Sequence, residues 1–160
     1  MQDTNKNILK KISHNQYKWL ITGVAGFIGS NLLEYLLKLD QIVVGIDNLS
    51  AGSKKNLNEI RYDLSKRHWN NFTFIEGDIR SYEVCEEACK DIDFVLHHAA
   101  LVSVPESFQN PILTHEVNIT GFQNMIIAAS KCKIKRFIYA SSSAVYGNTK
   151  NIAIKDNLKN

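Results

Sequence analysis

The chain has 160 residues, a net charge of +3, and 44% hydrophobic against 22% charged side chains. This is the composition of one globular domain, and it excludes a disordered, fibrous or two-domain chain. Residues 1–20 carry +3, residues 21–130 carry −6 and residues 131–160 carry +6, so the body is acidic and no nucleic-acid partner is expected, because such a partner needs a basic face on the folded body.

Residues 1–17 have a weak helical pattern at Ile8 and Ile12 and are read as an N-terminal extension, either a peripheral helix or a mobile segment. Trp19–Thr22 is a first strand. The apolar stretch 19–33 follows four lysines but is interrupted by three glycines, Thr22 and Ser30. It is neither a secretory signal nor a membrane span. Phe27–Leu39 is a helix with Ile28, Leu32, Leu36 and Leu39 predicted along one face. Gln41–Ile46 is a second, buried strand. Lys54–Arg67 is a single helix with Leu57, Ile60 and Leu64 at helical spacing. Phe72–Ile75 is a third strand. Ser81 caps a short helix to Lys90 with an acidic first turn. Phe94–His97 is a fourth strand. Asn110-Pro111 opens a long helix to about Lys131, with Pro where its missing N–H costs nothing. Arg136–Ala140 is a fifth strand, Ser141–Gly147 the loop after it, and 148–160 further loop.

Apolar strands alternating with helices predict a doubly wound α/β fold, a parallel sheet of order 3-2-1-4-5 with both faces covered. Gly23-Val24-Ala25-Gly26-Phe27-Ile28-Gly29 joins the first strand to the first helix. Gly23 permits the tight exit, Gly26 lets backbone approach a pyrophosphate at the helix N-terminus, and Gly29 lets helix and sheet pack closely. The alternative is a tight turn without ligand. Asp47 ends the second strand eighteen residues after Gly29, where a carboxylate accepts from ribose hydroxyls and repels a 2′-phosphate. The expected cofactor is NAD rather than NADP.

Thr22–Ser30 resembles the cofactor loop of the extended short-chain dehydrogenase/reductase family, the nucleotide-sugar epimerases and dehydratases. Further blocks match in register. Gly77-Asp78-Ile79-Arg80 resembles the adenine-contacting segment, His97-His98-Ala99-Ala100 the loop beside the cofactor, and Asn118-Ile119-Thr120-Gly121 the N-x-x-G of the long helix. Ala140-Ser141-Ser142-Ser143-Ala144-Val145-Tyr146-Gly147 resembles the active-site loop. Residues 19–48 and 100–107 are most similar to bacterial UDP-N-acetylglucosamine 4-epimerases of surface-polysaccharide synthesis, although Glu106 stands where that group more often has Arg.

The resemblance implies NAD bound by Gly23, Gly26, Phe27, Ile28, Gly29, Asp47, Asn48, Asp78, Ile79, Ala99, Ala100, Asn118 and Ser141. Ser142 is implied as the hydroxyl that holds the reacting oxygen, with Ser103, Val104, Ser142 and Ser143 beside a UDP-sugar. The family's base is a Tyr with a Lys four residues on, placed on the helix after the serine loop. Tyr146 and Lys150 have that spacing but sit on the loop itself. The family's pair is therefore expected past Asn160, and residues 18–160 are expected to be an incomplete NAD-binding Rossmann domain without its C-terminal substrate lobe. The complete form is expected to be a cytoplasmic homodimer with no membrane or nucleic-acid partner. Two other readings stay open: a nucleotide-sugar 4,6-dehydratase, which typically carries an acid pair where this chain has Ser143-Ala144, and an inactive NAD-binding fragment.

Three cysteines fit a reducing compartment. Cys85 and Cys89 read as half-buried helix residues, since no His or Cys pair completes a zinc set and no metal is expected. His97 reads as a packing residue of the cofactor loop rather than a base.

Overall fold

Five short strands, β1 Lys18–Thr22, β2 Ile42–Asp47, β3 Phe72–Glu76, β4 Phe94–His97 and β5 Arg136–Tyr139, pair in parallel in the order β3-β2-β1-β4-β5. This is the doubly wound order expected from the alternation, with the direction of strand addition reversing at β1 and β4. The computed structural model describes Ile12, residues 14–142 and Val145. Most of the extension, Ser143, Tyr146, Lys150 and the 148–160 segment lie outside the described residues.

Helices cover both faces. On one, α1 (Phe27–Lys38) and α2 (Lys54–Asp63) bury Leu33, Leu36, Leu37, Leu57 and Ile60 against Trp19, Ile21 and Val43. On the other, α4 (Tyr82–Ala88) and α7 (Phe122–Lys131) bury Cys85, Ala88, Met125, Ala128 and Ala129 against Leu20, Ile46 and Val95. Trp19–Ile21 in β1 and Ile42–Ile46 in β2 are unbroken apolar runs because alternate side chains enter different cores. α3 (Lys66–Trp69), α5 (Val104–Gln109), α6 (Pro111–His115) and a π-helical turn at Glu116–Gly121 complete the set.

Several sequence expectations change. The single helix over 54–67 is two helices, because Leu64 leaves the helical region and the Ser65 hydroxyl accepts from His68 N, capping α3. The buried stripe of α1 is Gly29, Ser30, Leu33, Leu36 and Leu37, whereas Ile28 is 54% exposed. Small residues, not the largest apolar ones, face the sheet where α1 starts, because the glycine loop draws the helix onto β1. The long helix to Lys131 is α6, the π-turn and α7 in succession, and α5, which Ser103 caps by accepting from Glu106 N, precedes it unforeseen. Cys85 and Cys89 are fully buried, not half-buried, and burial pushes both thiols up to about 12, so they stay protonated and inert.

One buried polar residue closes the lower end of the sheet. Gln41 is 1% exposed; its Oε1 accepts from Tyr17 N and Trp19 Nε1, while Nε2 donates to the carbonyls of Ile12, Asn15 and Leu39. A buried amide with both ends engaged costs little, and here it clips the chain before β1 to the turn after α1.

Candidate functional site

The carboxyl ends of β1, β2, β4 and β5 open into a cavity of about 1040 Å³. That volume is at the upper end for small-molecule sites. Its position at the strand-order reversal is where doubly wound folds bind ligands.

The glycine loop forms one wall. Gly23 has φ +69°, and a side chain there would meet the backbone of Ala99 at 2.9 Å. Gly29 packs so closely that a Cβ would lie 2.2 Å from Gly23 O. The first helical bond of α1 runs from Ser30 N to Gly26 O at 3.0 Å, so the amides of Phe27, Ile28 and Gly29 have no partner within the helix. Gly26 caps it without a side chain, leaving those donors and the positive end of the helix dipole facing the cavity.

Asp47 at the end of β2 is 8% exposed. Its Oδ2 accepts from Ala25 N at 2.9 Å and its Oδ1 from Leu49 N at 2.8 Å. The carboxylate thus braces the glycine loop, and each oxygen keeps a lone pair for a further donor. Asn48 donates from Nδ2 to Asp78 Oδ2 at 2.9 Å. Arg80 grips the same carboxylate through Nε and Nη2, so the Asp78 carboxyl is pulled down to about 2, chiefly by Arg80, against an opposing effect of burial.

The far wall starts at β4. Thr22, wholly buried, shares a 2.9 Å hydrogen bond with His97 Nδ1 and accepts at Oγ1 from His98 N and Ala99 N. Burial holds His97 down at about 4, and its ring packs against Phe122 and Phe137. It is neutral and interior, as a packing residue should be. Asn118, on the π-turn, pairs its amide with both backbone groups of Leu101, each at 2.8 Å. That shapes the loop after β4 as a strand partner would.

All the cofactor candidates from Gly23 to Ser141, and Ser142 with them, line this one cavity. Ser103 and Val104 do not: Ser103 caps α5 and Val104 is 66% exposed. Ser143 lies outside the described residues. Sequence reasoning missed Thr22, Arg80 and Glu116 as organising residues. A lone polar residue closing an apolar strand was the available signal for Thr22, whereas Arg80–Glu116 joins residues 36 apart and had none. Among the described residues no group of three or more His, Cys, Asp or Glu side chains could hold a metal ion, and no helix is long and apolar enough to cross a membrane.

The donors and acceptors fit a dinucleotide: free amides at a helix N-terminus for phosphates, a buried carboxylate for ribose hydroxyls, and a second polar cluster beyond it. Comparison with known proteins agrees with this class. Residues 20–159 match the profile of the GDP-mannose 4,6-dehydratase family, and the chain belongs to that family of NAD-dependent epimerases and dehydratases. A putative UDP-glucose 4-epimerase of Methanocaldococcus jannaschii is 33% identical over 140 residues, covering 86% of this chain and 42% of its own. A UDP-N-acetylglucosamine 4-epimerase from Methanobrevibacter ruminantium, solved with UDP-N-acetylmuramic acid, superposes with TM-score 0.76 at 36% identity, over 89% of this chain and 43% of that one. A UDP-glucose 4-epimerase from Bifidobacterium longum, solved with NAD+ and UDP, superposes with TM-score 0.78 at 30% identity, over 88% and 41%. The chain therefore spans less than half the length of each of these relatives.

Proposed function

We propose that this chain is the NAD-binding part of a nucleotide-sugar C4-epimerase that interconverts UDP-N-acetylglucosamine and UDP-N-acetylgalactosamine in surface-polysaccharide synthesis. The observation that carries the reading is the single cavity joining the glycine loop, Asp47 and Ser141–Ser142 at the carboxyl ends of the strands. Bound NAD would supply the redox chemistry, taking hydride from the sugar C4 and returning it on the other face through a 4-keto sugar. The chain's own part is to bind and orient. The amides of Phe27–Gly29 hold the pyrophosphate, Asp47 and Asn48 the adenosine ribose, Asp78 and Ile79 the adenine, and Ala99, Ala100, Asn118 and Ser141 the nicotinamide side. Ser142 donates to the reacting oxygen, with Ser143 beside the sugar. The complete protein is a cytoplasmic homodimer; exposed Ile112 and Ile126 support a partner on the α6–α7 side.

Titration of NAD and NADP into the purified 160-residue chain tests the cofactor assignment. NAD binds more tightly, and preference for NADP would remove Asp47 from the ribose. The same chain does not turn over UDP-N-acetylglucosamine, because a general base contributes about 10²–10⁴-fold and the spacing of Tyr146 and Lys150 places that pair, by the sequence reading, within the serine segment and not on the helix that carries the family's base. Turnover that Tyr146→Phe abolishes would make those two the catalytic pair. The family profile itself favours a second reading, a 4,6-dehydratase, and a product that has lost water would establish it.

A further inference from the structure

Arg80 stands at the centre of a set of contacts that joins two residues lining the cavity, Asp78 and Asn118. Its backbone N and Nε donate to Asp78 Oδ1 at 2.9 and 3.1 Å, and its Nε and Nη2 to Asp78 Oδ2 at 3.1 and 2.8 Å. Its remaining arm, Nη1, donates to Glu116 Oε2 at 3.2 Å. Glu116 is the first residue of the π-turn, and Asn118, two residues on, holds Leu101 by both backbone groups. The segment before Arg80 is tied to the same helix elsewhere: Asn124 Nδ2 donates to the carbonyls of Ile79 and Arg80, and Gly121 packs so closely on Ile79 that a Cβ would meet it at 2.7 Å. π-turns occur frequently at functional sites. This one carries both the residue that reaches Arg80 and the residue that shapes the loop after β4.

We propose that Arg80 is a positioning residue which, through Glu116 and the π-turn, couples the Asp78 end of the cavity to the Leu101 end, so that the two halves of a dinucleotide bind cooperatively. The inference rests on reading the cavity as a dinucleotide site. Asp78 is reached from the β2–β3 side and Leu101 from the β4 side, which in a doubly wound fold serve opposite halves of such a ligand. Only a guanidinium can do this. Its planar fork holds a carboxylate with two nitrogens and leaves a third for another partner, whereas an ammonium is a single point charge. The Arg80–Glu116 contact is exposed, at 39% and 48%, so it adds little to stability by itself. Its effect is on the coupling, where about two- to tenfold is expected.

Calorimetric titration of AMP and of NAD into the 160-residue chain, with amide hydrogen exchange over residues 99–102, tests this. Glu116→Gln is isosteric and leaves Arg80 on Asp78. AMP affinity stays within about twofold of the parent, NAD affinity falls about two- to tenfold, and exchange at 99–102 quickens while β1 and β4 amides are unchanged. Arg80→Lys weakens AMP as well as NAD, because the fork on Asp78 is lost with the charge kept. Equal losses for both ligands in Glu116→Gln, or unchanged NAD affinity and exchange, overturn the coupling. A parent chain that binds neither AMP nor NAD overturns the site reading and this inference with it.

Discussion

The loops leaving β1 and β5 lie at the same end of one sheet and line one cavity, yet they are held by different means. The β1 loop follows a central strand whose last four residues are all buried. It is fixed by Gly23 N on Ile46 O at 2.9 Å, by the Asp47 carboxylate on Ala25 N, and by the contact of Gly29 with Gly23. The β5 loop follows an edge strand on which Arg136, Ile138 and Tyr139 are exposed, and Ser141 and Ser142 are exposed after it. A central strand has hydrogen-bonded neighbours on both sides and a core on each face, whereas an edge strand has one neighbour and partial cover. Phosphates need amides that are already in place, and the first loop meets that need with backbone contacts of its own. β5 and its loop are exposed in a chain that spans less than half the length of its relatives, so the contrast is between these two segments of this chain.

The largest expected effect breaks the rigid side. Gly29→Ala sets a Cβ 2.2 Å from a backbone oxygen, which no side-chain movement relieves. A loss of about 3 kcal/mol or more in urea denaturation is expected, with NAD binding lost alongside. A stability change below about 0.5 kcal/mol would mean that the helix can lift from the loop and that the rigidity is not intrinsic.

The seam between the two sides is next. The folded protein holds His97 at about 4, below its ordinary 6.5, so the fold binds the neutral ring. As pH falls below 6.5 the unfolded chain takes up the proton first. The stability this group contributes is complete above pH 6.5 and is lost as pH falls to about 4, to the extent of roughly 3 kcal/mol. Denaturation midpoints across that window measure it, and His97→Gln should flatten this limb. Thr22→Val, nearly isosteric, leaves Ala99 N without its acceptor and should cost about 2 kcal/mol. In the same experiment, a cost confined to NAD affinity would show that the threonine serves the ligand and not the seam.

The smallest effect falls on the open side. Ser142→Ala should leave stability within about 0.5 kcal/mol of the parent and NAD affinity within twofold. Turnover in a form carrying the whole active site should fall by an order of magnitude or more. A large stability loss would show that the serine loop is braced as firmly as the glycine loop, and the comparison would collapse.

Much of the molecule was legible before folding. Strand identity, strand order and the glycine-loop geometry followed from alternating apolar runs and glycine spacing, since a parallel sheet buried on both faces leaves little choice in either. Ser81 was readable as a cap because a serine before an acidic turn has a local reason to be there. Local patterns went wrong where tertiary contact overrode them. Leu64 and Ser65 break a helix whose periodicity continues through them, and α1 buries Gly29 and Ser30 in place of Ile28 because proximity to the loop, not side-chain size, decides which face turns inward.

What the sequence determined by itself was the class of fold, which rests on the alternation of apolar strands and helices, and the glycine loop with Asp47, which rest on short-range spacing; the family and the other cavity residues were read from the resemblance of separate blocks along the chain to known motifs. Only the tertiary structure decided which side chains hold that cavity in shape. Thr22 meets His97 across 75 residues, Gln41 clips Ile12 across 29, and Arg80 reaches Glu116 across 36. These bonds join elements that approach only once the sheet has been wound, so no spacing along the chain encodes them.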